Sequence, residues 1–480
     1  MKKLKSIPTG IKATISFVLA NSITQGLTLL VTPIFVRIMT TDEIGSITNF
    51  NSWYTIIGIV VNMMLYANSY VLAMNEYSQE RDQYTSCTLF ISMFSTAIFA
   101  LFCFLFKDYF IKILNMNDEL IILMICAFMF LPATNMWLAR QRFEYKYISV
   151  LTVSSIIAIS STLLSVLAVI ASKNIGGNAV NARLIATYSV QIIIGLVFSV
   201  IIFTRGRTII KGEYIKFIIF VNSPMIIHSL SKNILDVSDR IMIASLVGKS
   251  EAGIYGTLYS ICTLIMILWN AINTAITPYV FSKLNEIENE EESIKRFMDV
   301  LLIIFFGLSL IFVLIAPEFI SIFTTSIYAD EIHIVPPIVC GCFVTSVYSL
   351  VGNILLFNKK TISIMGATLI ASVVNVALNR LLIPICGYQI AAYTTIIGYC
   401  CLTIALFIAT RRINNKTSRA FDFKFSILLI ISNIVLNVII VNVYNSVIIR
   451  YGIIFILIAM TVMMRNKIFS VIKIVTKKNG

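Results

Sequence analysis

The chain reads as a succession of apolar runs about 20 residues long, separated by short polar breaks. A run of that length crosses the ~30 Å hydrocarbon core of a bilayer as an α-helix. The pattern predicts about fourteen helices, over 11–37, 44–72, 84–106, 119–140, 147–171, 182–204, 215–247, 252–282, 297–317, 332–357, 361–384, 388–410, 424–444 and 447–464. The expected class is an all-α polytopic membrane protein. The stretches 107–119 and 318–331 leave room for small interfacial turns only. The acidic stretch 282–296 reads as a short surface helix.

Polar positions repeat at a constant offset of 208 residues. Glu43 pairs with Glu251, Gly45 with Gly253, Ser52 with Ser260, Thr55 with Thr263 and Asn62 with Asn270. Six helices separate the copies, so the two repeats share one orientation in the membrane. The expected organisation is a six-helix bundle over 1–204, a second over 205–411, and a terminal helix pair with a basic tail over 412–480.

Composition agrees with this pattern. Of 480 residues, 58% are hydrophobic and 12% charged, against about 25% charged in an ordinary soluble domain. The net charge of +14 is carried by loops. With the N-terminus inside, 27 of the 37 lysines and arginines fall on the inner side, which predicts cytoplasmic termini. The basic loops lack the interleaved aromatics of a nucleic-acid surface, so no nucleic acid is expected as a partner. The nine cysteines lie mostly in apolar runs and read as small packing residues, without metal spacing. The sequence contains no P-loop, HExxH or GxSxG motif. No catalytic residue, metal or cofactor is expected.

The segment 222–248 departs from the rule of greasy helices. It carries His228, Lys232, Asp236, Asp239 and Arg240. An ionisable side chain at mid-bilayer costs roughly 2.5–3.5 kcal/mol on insertion scales and survives mainly where it faces a bundle interior or a wet cavity. One reading is a self-neutralising ladder in which Asp236 bridges Lys232 and Arg240 at i±4. The other is a cationic lining, in which Lys232 and Arg240 join Arg37 and Arg380 to attract an anion, as forked guanidinium donors suit phosphate. His228, Asp236 and Asp239 are candidates for ion coupling.

Polar stripes at helical spacing add candidates for a hydrogen-bonding lining. They are Asn21 and Gln25 on the first helix, Asn62 and Tyr66 on the second, Tyr259, Asn270 and Asn273 on the eighth, and Asn375 on the eleventh. Taken one by one, such residues also serve as interhelical hydrogen bonds, worth about 0.6 kcal/mol each.

Pro224, Asp239-Arg240 and the run Glu251-Ala-Gly-Ile-Tyr255, with the earlier copy Pro33-Ile-Phe-Val-Arg37 and Asp42-Glu43-Ile-Gly45, resemble the bacterial polysaccharide flippases. These are the Wzx-type translocases of O-antigen and capsule repeat units, in the multidrug/oligosaccharidyl-lipid/polysaccharide exporter superfamily. The resemblance covers the first twelve helices. It implies two MATE-like bundles in a V around a cavity that alternates between inward-open and outward-open states. The implied substrate is an undecaprenyl-pyrophosphate-linked glycan, moved from the inner to the outer leaflet of the bacterial cytoplasmic (inner) membrane. Membrane lipid is an implied partner, together with the polymerase and chain-length proteins of the same pathway. Three alternatives remain at this point: a drug/cation antiporter of the same fold, a peptidoglycan-precursor flippase, and a polysaccharide polymerase or glycosyltransferase.

Overall fold

A computed structural model describes residues 26, 27, 29–413 and 416–463. Asn21 and Gln25 lie outside the described residues. The helices are α1 (Leu29–Ile38), α2 (Thr41–Val61), α3 (Asn68–Glu76), α4 (Arg81–Leu105), α5 (Lys107–Leu114), α6 (Asp118–Phe143), α7 (Tyr147–Asn174), α8 (Ala179–Gly206) and α9 (Gly212–Leu246). They continue with α10 (Lys249–Cys262), α11 (Leu264–Asn285), α12 (Ile287–Phe323), α13 (Ser326–Ala329), α14 (Val335–Phe357), α15 (Thr361–Cys386), α16 (Ile390–Arg411), α17 (Phe423–Asn442) and α18 (Val447–Met463).

Among the described residues, ten helices are long and apolar enough to cross a membrane, or eleven with the bent α9 counted as one span. The expected fourteen are not reached on that criterion. The apolar helices Leu29–Ile38 and Val447–Ala459 are shorter than a span, and the span predicted from residue 11 begins outside the described residues. Helix α2 carries Asp42, Glu43, Asn49 and Asn51 in its first half. The stretch 282–296 is helical, but residues 287–296 run without a break into α12.

Polar residues mark where the helices begin. Thr40 and Glu43 form a capping box at the start of α2, with Thr40 N–H donating to Glu43 Oε2 at 2.8 Å. Asn117, Asn178 and Asp422 accept from first-turn amides of α6, α8 and α17. Helix α9 bends by 41° between Ser223 and Met225, at Pro224, which removes one backbone donor from the ladder.

The chain divides into two compact units. The first comprises the described residues up to Asn233 together with Gly248–Gly253. Helix α6 is its most buried span and packs on α8 and α4. In hydrocarbon, helices associate through close packing and polar contacts rather than hydrophobic burial, and glycines supply the close approaches. A Cβ on Gly195 of α8 would stand 2.4 Å from the carbonyl oxygen of Phe130.

Helices α2 and α10 start at Thr41 and Lys249, the same 208-residue offset as the sequence repeat, and their first turns meet within this unit. Thr41 Oγ1 and Ser250 Oγ lie 2.7 Å apart. A Cβ on Gly45 would sit 1.6 Å from the Lys249 carbonyl oxygen, and one on Gly253 would sit 2.2 Å from that of Thr41.

The second unit comprises 234–247 and the described residues from Ile254 onward. Helix α14 is its most buried span, packed by α16, α12, α17 and α11. Trp269, Phe305 and Phe343 fill its core, and Trp269 Nε1 donates to Ser349 Oγ at 2.9 Å. Helices α17 and α18 are tied to α12 by polar contacts. Asn433 Nδ2 donates to Ser309 Oγ at 3.1 Å, and Arg450 Nη1 reaches Glu318 Oε2 at 2.7 Å.

Candidate functional site

The second half of α9 enters the second unit with its charges turned into the protein. Asp239 is fully buried. Its carboxylate accepts from Tyr255 Oη at 2.7 Å and from the Arg240 backbone N–H at 2.8 Å. The Arg240 guanidinium lies 4.1 Å over the ring of Tyr259, a cation–π contact strengthened by exclusion of water. One turn earlier, Asp236 Oδ1 accepts from Tyr399 Oη at 2.6 Å.

Helix α16 comes this close because Gly398 has no side chain. A Cβ there would stand 2.7 Å from Leu235 Cδ1 and 3.2 Å from Asn375 Cβ. Amides and hydroxyls continue the polar core. Asn375 Oδ1 accepts from Ser238 Oγ at 3.4 Å and from Asn379 Nδ2 at 3.3 Å. Asn375 Nδ2 donates to Thr395 Oγ1 at 3.4 Å, and Thr394 Oγ1 donates to Asn379 Oδ1. Two carboxylates, one guanidinium and a chain of neutral oxygens thus share a buried region of α9, α10, α15 and α16. Low dielectric makes each of these contacts strong and each unmade one costly.

The other sequence candidates are distributed between the units. Arg37 is exposed on α1, with Nη1 donating to the Pro33 carbonyl at 3.4 Å. Lys232 and His228 are half-buried on the part of α9 that belongs to the first unit. Arg380 is exposed on α15, one residue past the buried Asn379. Asn62 is buried and caps the end of α2, its Oδ1 accepting from Ser92 Oγ at 3.1 Å. Tyr66 is half-buried. Asn273 Oδ1 accepts from Asn353 Nδ2 at 2.9 Å, and Asn270 is exposed.

Several residues escaped the sequence reading. Tyr399 and the pair Thr394-Thr395 sit on α16, a helix from which the sequence reading drew no candidate. Their signal was the spacing of Thr395 and Tyr399, one turn apart. In the first unit, the Arg183 guanidinium lies 3.6 Å over the Phe35 ring. That unit also holds an aromatic interior, with Tyr54 against Phe128 at 4.9 Å and against Tyr188 at 5.2 Å. Gly58 leaves room for it, since a Cβ there would stand 3.0 Å from Phe128 Cε1.

Comparison with solved structures identifies the architecture. The fold is similar to that of the lipid II flippase MurJ in an inward closed conformation, with TM-score 0.68, 14% identity, and coverage of 95% of this chain and 100% of that one. It is also similar to an inward-facing multidrug resistance MATE family transporter of the MOP superfamily, with TM-score 0.60, 13% identity, and 87% and 98% coverage. A MOP superfamily transporter from Pyrococcus furiosus, titled for the reversed polarity of its binding pocket, matches with TM-score 0.56, 13% identity, and 84% and 95% coverage. No curated protein matches the sequence.

Residues 224–381 match the MatE family. Residues 11–285, more than half of the chain, match the family described as Polysaccharide biosynthesis protein. The solved structures named above are titled a flippase and transporters. The chain is a membrane protein of the MATE-like fold and belongs to the polysaccharide biosynthesis protein family.

Proposed function

We propose that this protein flips undecaprenyl-pyrophosphate-linked oligosaccharide repeat units from the inner to the outer leaflet of the bacterial cytoplasmic membrane, for O-antigen or capsule synthesis. The family match over 11–285 carries this reading, and the MurJ likeness supports it, because that protein is named for a lipid-linked precursor. Both termini are cytoplasmic in this proposal, and the bundles 1–204 and 205–411 alternate access between the two leaflets, with 412–480 as an added pair. Arg240, Lys232, Arg37 and Arg380 attract the pyrophosphate or acidic sugars. The tyrosines and asparagines hydrogen-bond and stack on the glycan, and the polyprenyl tail stays in lipid. The polymerase and chain-length proteins receive the product.

The half-buried His228 and Asp236 and the fully buried Asp239 are the proposed coupling groups for a proton or an alkali cation. Outward movement of an anionic headgroup from an inside-negative compartment is itself favourable by about 2.3 kcal/mol per charge per 100 mV. The potential therefore assists the step.

The test is reconstitution in liposomes with a fluorescent lipid-linked oligosaccharide, reading its exposure at the outer leaflet. Protein-dependent exposure that accelerates under an inside-negative potential is expected. Absence of exposure at any potential would refute the reading. The MatE match over 224–381 favours one second reading, a cation-coupled drug antiporter. Efflux of a cationic dye without flipping of the lipid-linked glycan would select it.

A further inference from the structure

The first unit holds a second polar feature, remote in sequence from the α9 charges. The loop before α4, the first turn of α4 and the last turns of α6 and α8 line an open cleft of about 520 Å³. A smaller cavity beside it shares Asp82, Arg140 and Arg205 as lining. Gly206 brings these elements together: a Cβ on it would stand 2.3 Å from the Asp82 carbonyl oxygen, so α8 ends directly against the start of α4. Four arginines line the larger cleft, Arg81, Arg140, Arg205 and Arg207, together with the acids Glu80 and Asp82.

The acids of this region are already committed. Glu80 accepts from Lys211 Nζ at 2.6 Å and from Tyr214 Oη. The bond from Lys211 is the chief reason that the Glu80 carboxyl titrates below its usual range. Asp82 pairs with Arg140, and Glu144 bonds Arg140 at 2.9 Å and Lys146 at 2.5 Å. Arg205 and Arg207 are exposed. Among the described residues, no carboxylate forms an ion pair with either, and Arg207 Nε donates only to the Thr204 carbonyl at 3.3 Å. Arg81 is held from behind, by the Met74 carbonyl at 2.9 Å and the Phe143 ring at 5.0 Å.

A membrane protein accumulates basic residues on one side for topological reasons, but topology does not require four guanidiniums around one concavity. Forked donors at this density match a tetrahedral oxyanion. The start of α4 lines the same cleft without a side-chain cap and with Asp82 in its first turn; that acid is paired with Arg140, and the amide end of the helix adds a positive potential.

We propose that this cavity is a binding site for a phosphate or diphosphate group, presented by an anionic lipid headgroup or by a soluble phosphate compound. The site does not depend on the transport reading, and it stands whether or not the chain moves glycans.

The experiment uses the full chain in two arms, in phosphatidylcholine nanodiscs for the first and in nanodiscs of mixed phosphatidylcholine and phosphatidylglycerol for the second. Isothermal titration with inorganic pyrophosphate tests the soluble source. Native mass spectrometry of the detergent-released protein, comparing retained phosphatidylglycerol with phosphatidylcholine, tests the lipid source. Saturable binding is expected in at least one arm, and the positive arm identifies the source. The double variant Arg205→Gln/Arg207→Gln should weaken it by about tenfold or more. The charge-conserving Arg205→Lys/Arg207→Lys should weaken it less, and it serves as the second readout if the glutamine variant fails to fold. Lys359→Gln/Lys360→Gln, which removes an exposed basic pair at the start of α15, should leave binding unchanged. No binding in either arm would overturn the proposal. So would equal affinity in the Arg205/Arg207 variants, or an equal loss in the Lys359/Lys360 variant.

Discussion

In the first unit the acids pair at helix ends: Glu43 with Lys173 at 2.7 Å, Glu80 with Lys211, and Asp82 and Glu144 with Arg140. Its interior is aromatic, built on Tyr54, Phe128 and Tyr188. In the second unit the interior itself is ionic and amidic, with Asp236, Asp239 and Arg240 beside Asn375, Asn379, Thr394 and Thr395. The two units thus differ in what they bury. Surface ion pairs contribute little, typically ~0–1 kcal/mol, so the first unit's pairs orient helix ends. A buried carboxylate in a membrane protein is costly, and in the second unit Asp239 is held by the Tyr255 hydroxyl and the Arg240 amide.

The largest expected effect tests the close approach of α2 and α10. Gly253→Val forces a side chain into the Thr41 carbonyl, 2.2 Å from the would-be Cβ, and should cost more than about 3 kcal/mol or prevent folding. Gly366→Ala on α15, where nothing lies within 4 Å, should leave thermal unfolding of the purified protein unchanged or raise it slightly.

Next comes the difference in interiors. Asp239→Asn keeps the shape, removes the charge and replaces one of two accepting oxygens, and should reduce lipid-linked glycan flipping by about tenfold or more while costing about 1–3 kcal/mol of stability. Tyr54→Leu in the first unit should lose about 1 kcal/mol of stability through its ring contacts and lower flipping less. Equal losses from the two variants, measured in one liposome assay, would erase the functional contrast between the units.

Tyr399→Phe removes the donor to Asp236 and should cost about 0.6 kcal/mol of stability, read from denaturation in mixed micelles. A larger effect on flipping than on stability would assign Asp236 to the transport step.

The smallest effect is a pH dependence in the first unit. The bond from Lys211 to Glu80, and then that from Tyr214, hold the Glu80 carboxyl below its usual range. A depressed carboxyl pKa contributes stability that is present above the unfolded value and lost as pH falls through the folded value. Acidification below the ordinary carboxylate range should therefore lower the melting temperature. Lys211→Met should flatten that dependence, while Lys359→Gln in the second unit should leave it unchanged.

Much of this plan was legible in the chain. Apolar length identified most helices, and the 208-residue offset predicted equivalent starts, which the structure places at Thr41 and Lys249. The weight of charge on 222–248 pointed to Asp239 and Arg240, and Pro224 lies at the bend. Helix count was harder to read, since α2 is polar in its first half and the described α1 and apolar part of α18 are short. The partners of the charges were illegible for a physical reason. Tyr255 and Tyr399 have mostly apolar bodies and look like core residues, and Tyr259 was legible only as one member of a polar stripe. Only packing reveals that two of their hydroxyls meet carboxylates and that the third ring lies under a guanidinium. The ring of arginines was read as loop charge, because residues 81, 140, 205 and 207 converge only when α8 ends against α4.

In the proposed transport, the charges of Asp236, Asp239 and Arg240 in the second unit serve an anionic, lipid-linked glycan. The direct measurement is the initial rate of flipping of a fluorescent undecaprenyl-pyrophosphate oligosaccharide in proteoliposomes, for the native chain and for Arg240→Ala, at matched insertion and at zero and inside-negative potential. The native chain should flip it, faster with the potential, and Arg240→Ala should remain folded and fall near the protein-free background. Equal rates for the two proteins, or a native rate equal to that of empty liposomes, would contradict it.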